Sequence, residues 1–410
     1  TGMNSKWMYA AAAACMLAAC RPAAEKTDGT LTVIDVAGAA AQQTELKISD
    51  LGTRIRYVPL ETNDSCLIGR NPQIMVLKGQ ILVQSGTDVY SFDKETGRFL
   101  NAIGHAGEDP KGYSIHAGRP YYNERNGLMY FVRWPNALQK YDLGGTYQGK
   151  AVIPTPPAMP DSYGFVDTLV VGYYNNIAQQ NTHKRMLGLF TEAGLLRDSI
   201  VSPLPALPPM KMEDIASISV LRLGIAQALY TRFGDGTSSY SIASPTTLWN
   251  YDGELRFKDT FNDTVYNVSA AGELTPAYVF GTGERRLEPK ARWSDVEVKG
   301  TMLPVLVLET PRNIFFQCAE DLRKAVNGIY DKQAGTTRMC DEEKGLTDDV
   351  NHFLPFRPSA CSAQGEYAQL VEAADVVDFL DENPEAKGNS ALAPLLGVGE
   401  EDNPVVVLVY

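Results

Sequence analysis

The chain has 410 residues, with 37 Lys and Arg against 49 Asp and Glu and a formal net charge of −12. An acidic balance without any cluster of basic residues excludes a partner gripped through its phosphate backbone, so no nucleic-acid role is expected. Six cysteines and a 44% hydrophobic content leave room for a large core, and for disulfides if folding takes place in an oxidising compartment.

Read from Met3, a short basic stretch (Asn4-Ser5-Lys6) is followed by an apolar run over 7–19, then Cys20 and a polar segment. That order is the layout of a secretory signal, and the run is shorter than the roughly 20 apolar residues of a membrane-spanning helix. Leu17-Ala18-Ala19-Cys20 resembles the bacterial lipobox, in which the cysteine thiol carries a diacylglycerol. Cys20 is therefore the expected lipidation residue, with several acyl chains holding the protein to a membrane. Residue 21 is Arg and not Asp, so the expected address is the outer membrane, facing either the periplasm or the exterior. The expected division is a signal over 1–20, a tether over 21–29 and a single β domain over 30–410.

Beyond the tether the chain reads as short β-branched and aromatic runs punctuated by Gly, Asp and Asn. Gln73-Ile74-Met75-Val76, residues 80–84, 88–92 and 98–103 are four strands with tight turns at Lys78-Gly79, Gly86-Thr87 and Gly97, the grammar of an antiparallel meander. The same grammar returns over 128–153, over 187–200, and over 248–261 around the Asp252-Gly253 turn. The first three turns recur at about fifty residues, and an all-β chain with such a period points to propeller blades. Residues 265–268 with 274–280, and the runs 304–309, 313–318, 328–332 and 336–339, supply further strands. A helix is expected over 366–382, ending at Asn383-Pro384. Residues 30–36 and 404–410 are the first and last strands, and their pairing would close one blade and remove exposed edges. Two β-sandwich domains joined through the stiff segment 154–163 are the competing architecture.

Residues 89–113, reading VYSFDKETGRFLNAIGHAGEDPKGY, resemble an NHL-type blade, departing from it where Glu108-Asp109 replaces a glycine-containing step. Residues 55–62, 257–266 and 401–407 are similar to stretches of the six-bladed β-propeller lipoproteins of the bacterial envelope. The resemblance implies six blades and an envelope lipoprotein; with the residue pattern above, the expected fold is an all-β six-bladed propeller with N- and C-terminal strands closing one blade and a helical insertion near the C-terminus. It brings no active site with it.

Candidate sites are sparse. His105, His116, His183 and His352 lie in no metal-ligand pattern, although His105 and His116 could face each other across one loop. Gly104, Gly107, Pro110 and Gly112 lack the strand-to-helix context and the Gly-Lys-Ser/Thr of a phosphate loop. No Gly-x-Ser-x-Gly elbow is present. No catalytic residue, metal ligand set or cofactor is therefore expected, calcium on Asp341-Glu342-Glu343 with Asp348-Asp349 being the one alternative. Among Cys66, Cys318, Cys340 and Cys361 the favoured disulfide joins Cys340 to Cys361. Aromatic groups at strand ends are the expected binding residues: Tyr121, Tyr122 and Trp134 first, joined by His105, with Tyr173, Tyr174 and Trp249 as further candidates. The reading that follows is a non-catalytic binding or scaffold lipoprotein with a glycan, peptide or envelope-protein partner; the alternative is a propeller enzyme acting on extracellular polysaccharide.

Overall fold

Runs such as Val405–Val409, in which all five residues are buried, and Met302–Glu309, in which all eight are, have apolar neighbours on both faces. Such strands belong to sheets stacked against other sheets and not to a two-layer sandwich with a solvated side. The computed structural model describes residues 31–175, 184–205 and 211–410. Cys20, the whole signal segment and His183 lie outside the described residues.

The described residues form seven small sheets. Sheet I joins Ile55–Pro59, Val405–Val409, Tyr367–Val371 and Ala360–Cys361 in that spatial order. Sheets II, III and IV are four-stranded meanders that begin at Gln73–Val76, Tyr121–Asn123 and Ser162–Val166. Sheet V runs from Leu248–Tyr251 to Leu274–Phe280, and sheet VI from Met302–Glu309 to Thr336–Asp341. Sheet VII, of three strands between Ile215–Leu223 and Ser238–Ala243, stands outside the repeat expected above. Its insertion accounts for the looser spacing of the later turns. At the Asp252-Gly253 turn both residues have positive φ, 51° and 76°, the left-handed pair that a two-residue hairpin requires and that Asp-Gly supplies at little cost.

Neighbouring sheets share their cores. Sheets I and II meet over Val58, Ile81, Phe92 and Leu408; II and III over Leu82, Tyr113, Phe131 and Tyr141; III and IV over Tyr130, Leu138, Phe165 and Phe190. Sheets IV and V meet over Val171, Leu187, Leu255 and Phe257; V and VI over Val265, Phe280, Ile314 and Phe316; VI and I over Leu308, Phe315, Tyr367 and Val407. Sheet VII packs sideways on sheet VI through Leu223, Ala228, Leu303 and Ala319. The architecture is all-β and propeller-like.

Three expectations need correction. The strand Val405–Val409 pairs with Ile55–Pro59 and with Tyr367–Val371, whereas the first strand, Thr32–Ile34, lies parallel to Leu274–Phe280 at the edge of sheet V. The hydrophobic run over 30–36 is short, and its one buried strand residue, Ile34, enters the sheet V and VI core. The helix spans Ala373–Glu382, and Tyr367–Val371 is a strand, because Tyr367 and Ala368 must pack against the continuous apolar strand beside them. Its end at Asn383-Pro384 is as expected, with the Asn383 N–H donating to the Phe379 carbonyl. Finally, Cys66, Cys318, Cys340 and Cys361 are all free thiols. Cys340 is held in a strand of sheet VI and Cys361 in one of sheet I, where the latter's thiol donates to the Glu309 carbonyl at 3.7 Å; each fills space as a small apolar side chain.

Candidate functional site

The strands that open sheets II to VI, together with Ala360–Cys361 of sheet I, surround a cavity of about 900 Å³. Met75, Tyr121, Tyr163, Trp249, Glu309 and Cys361 represent one wall residue from each sheet. The aromatic wall residues also pack between neighbouring sheets, Tyr121 and Tyr163 at the core of sheets III and IV and Trp249 against that of sheets V and VI.

Between sheets V and VI the wall is a neutralised charge cluster. Glu309 ends the strand Met302–Glu309 and is 5% exposed. Its Oε2 accepts from Trp249 Nε1 at 3.3 Å, Arg256 Nε at 3.3 Å and the Tyr278 hydroxyl at 3.2 Å, and its Oε1 accepts from Lys332 Nζ at 2.9 Å. Lys332 Nζ also sits 3.9 Å from the centroid of the Tyr251 ring, and the Arg256 guanidinium 5.0 Å from it. A carboxylate that accepts from four donors, two of them cationic side chains, has both oxygens engaged by the protein itself.

The wall between sheets III and IV is different. Tyr121 and Tyr163 meet edge to face with centroids 5.1 Å apart. Arg119 precedes them on the way into the strand Tyr121–Asn123, and its Nη1 donates to the Pro245 carbonyl at 3.2 Å. Asp161 accepts the Asn175 N–H at 2.7 Å, and its removal from water raises its pKa; the Glu124 carboxyl is raised for the same reason. Burial likewise pushes the Tyr121 and Tyr163 hydroxyls well up, so both remain protonated hydrogen-bond donors.

Tyr121, Tyr122, Trp134, His116 and Trp249 line this cavity. His105 does not: it lies on an exposed loop, where Nε2 meets Asp109 Oδ2 at 2.6 Å and holds that carboxyl below its usual pKa. Tyr173 and Tyr174 are 1% and 2% exposed and belong to the packing. Of the acidic residues considered for calcium, Asp341, Asp348 and Asp349 are each engaged by different partners. Asp341 pairs with Lys324, Asp348 accepts the N–H groups of Val350, Asn351 and Phe353, and Asp349 accepts from Ser49. Among the described residues no group of three or more His, Cys, Asp or Glu is placed to hold a metal. Arg119, Asp161, Tyr163 and Glu309 were not singled out from the sequence. Only the bracketing of Asp161 and Tyr163 by the proline-rich stretch could have drawn attention to two of them.

Comparison with known proteins gives a family and a fold. A family model described as a domain of unknown function, DUF4934, matches residues 31–410. No curated protein matches the sequence. A "putative exported protein" of Bacteroides fragilis is similar in structure, with a TM-score of 0.64, 14% identity, and 93% of this chain and 99% of that chain covered. A DUF4221 family member from Bacteroides vulgatus is similar with a TM-score of 0.46 and 9% identity, covering 90% of this chain and 98% of that one. No helix among the described residues is long and apolar enough to cross a membrane.

Proposed function

This chain belongs to the DUF4934 family, and from that premise we propose that it is an exported, outer-membrane-anchored lipoprotein whose six-bladed propeller binds a glycan without transforming it. Six blades are supported by the circuit of six shared cores, with sheet VII as a lateral insertion. Export is supported by the likeness to the Bacteroides fragilis protein and by the signal-like N-terminus.

The observation that carries the binding reading is the composition of the cavity wall: aromatic rings and polar groups around a space of about 900 Å³, with the buried Glu309 carboxylate paired with Lys332 and Arg256. Aromatic faces with convergent hydrogen-bonding groups are what a sugar ring requires. An array of oligosaccharides probed with the purified protein tests it. Binding to a defined set, lost on Trp249→Ala, is expected; no binding to any glycan, with one envelope protein co-purifying, would move the function to a scaffold. A second reading, action on a polysaccharide, draws on the raised carboxyls of Asp161 and Glu124 and would show as new reducing ends in the bound glycan. Anchoring has its own test: Cys20→Ala should move the protein out of the membrane fraction, and continued membrane association would refute the lipid anchor.

A further inference from the structure

Two side chains in the wall between sheets III and IV lack the partners their chemistry calls for. Arg119 donates to the Pro245 carbonyl, yet among the described residues no carboxylate pairs with it. Burial disfavours its charge, and a guanidinium stays protonated all the same. The Tyr163 hydroxyl, on a residue 2% exposed, has no hydrogen-bond partner among the described residues. An unpaired buried hydroxyl is destabilising, and an unpaired cation more so, so both are sites where a ligand gains free energy by supplying the missing atoms. They also share one wall of the cavity: Arg119 lies two residues before Tyr121, whose ring meets that of Tyr163 with centroids 5.1 Å apart.

Resting on the glycan-binding reading above, we infer that this wall selects an acidic saccharide, with Arg119 pairing with the carboxylate of a uronic acid and the Tyr163 hydroxyl donating a hydrogen bond to it. The missing element on the protein side is an anion at Arg119 and an acceptor at Tyr163, and one carboxylate provides both. The same wall carries Asp161 and Glu124. Their carboxylates accept hydrogen bonds from sugar hydroxyls but repel a ligand with several charges, such as a polyphosphate. A ligand with one carboxylate per ring and many hydroxyls satisfies both demands.

Calorimetric titration of the purified protein with digalacturonic acid and with galactobiose, its neutral counterpart, tests the inference. Digalacturonic acid is expected to bind at least ten-fold more tightly, with an affinity that falls as salt is raised. Arg119→Gln should abolish that preference by weakening digalacturonic acid binding at least ten-fold relative to galactobiose, and Arg119→Lys should restore part of it. Tyr163→Phe removes only an oxygen that no described protein group uses. It should therefore weaken digalacturonic acid binding several-fold while leaving the melting temperature the same or higher, which keeps the test valid if the arginine variants fail to fold. Equal binding of the two disaccharides, or a preference that survives Arg119→Gln, overturns the inference and leaves the glycan reading standing. Binding of neither disaccharide also overturns it, and the glycan reading then falls only if the oligosaccharide array is blank as well.

Discussion

Glu309 illustrates how much a single residue's meaning depends on its neighbours. In sequence it is one of 49 acidic residues, at the end of an apolar run. In the fold its carboxylate receives Trp249, Arg256, Tyr278 and Lys332, side chains that lie between 23 and 60 positions away. Removing one member of such a buried cluster leaves the others charged and unpaired, which typically costs about 3–5 kcal/mol. Glu309→Gln is therefore expected to lower stability in urea by about 3 kcal/mol, and adding Lys332→Met should recover part of the loss; no change in the urea midpoint would mean that the cluster is not closed as described. His105 shows the opposite case. Its place among the binding candidates rested on loop chemistry, and the loop turns it to Asp109 and solvent, away from the cavity.

At the scale of elements, the meanders were legible because alternating burial and turn chemistry are local properties. Asp252-Gly253 and the glycine at 97 mark their hairpins in sequence and in structure. The segment 366–382 was legible only in part: its spacing of apolar residues suits a helix throughout, yet Tyr367–Val371 is recruited as a strand by the backbone of Val405–Val409. Tertiary pairing overrides local period there, since the neighbouring strand's N–H and C=O groups would otherwise be left without partners in a buried sheet. The helix Ala373–Glu382 then docks through Val376 and Leu380, both buried in the core shared by sheets VI and I. Leu380→Ala should cost about 3 kcal/mol in a urea titration, whereas Asp381→Ala, whose exposed carboxylate pairs with Lys387, should change it by less than about 0.5 kcal/mol. Equal effects would place the helix off the core.

For the whole molecule, the consequential contacts are those that join distant parts of the chain. Ile55–Pro59 lies beside Val405–Val409, and Lys94, 3% exposed, bonds Glu366 at 2.6 Å across sheets I and II. Truncation before Val405 removes an interior strand and leaves both its partner strands, Ile55–Pro59 and Tyr367–Val371, unpaired on that side. It is expected to abolish cooperative thermal unfolding by circular dichroism, and a truncated chain that melts as sharply as the intact one would show that sheet I does not hold the ends together. The amino-acid sequence by itself determined the all-β class, the repeat of turns, the position of most strands and the signal-like N-terminus, because each is written in local periodicity and residue type. Only the tertiary structure decided which strand accompanies the C-terminus, that sheet VII stands outside the repeat, that four thiols stay free, and that Arg119 and Tyr163 share a cavity wall. Those are relations between residues remote in sequence, set by which surfaces exclude water together, and no local pattern encodes them.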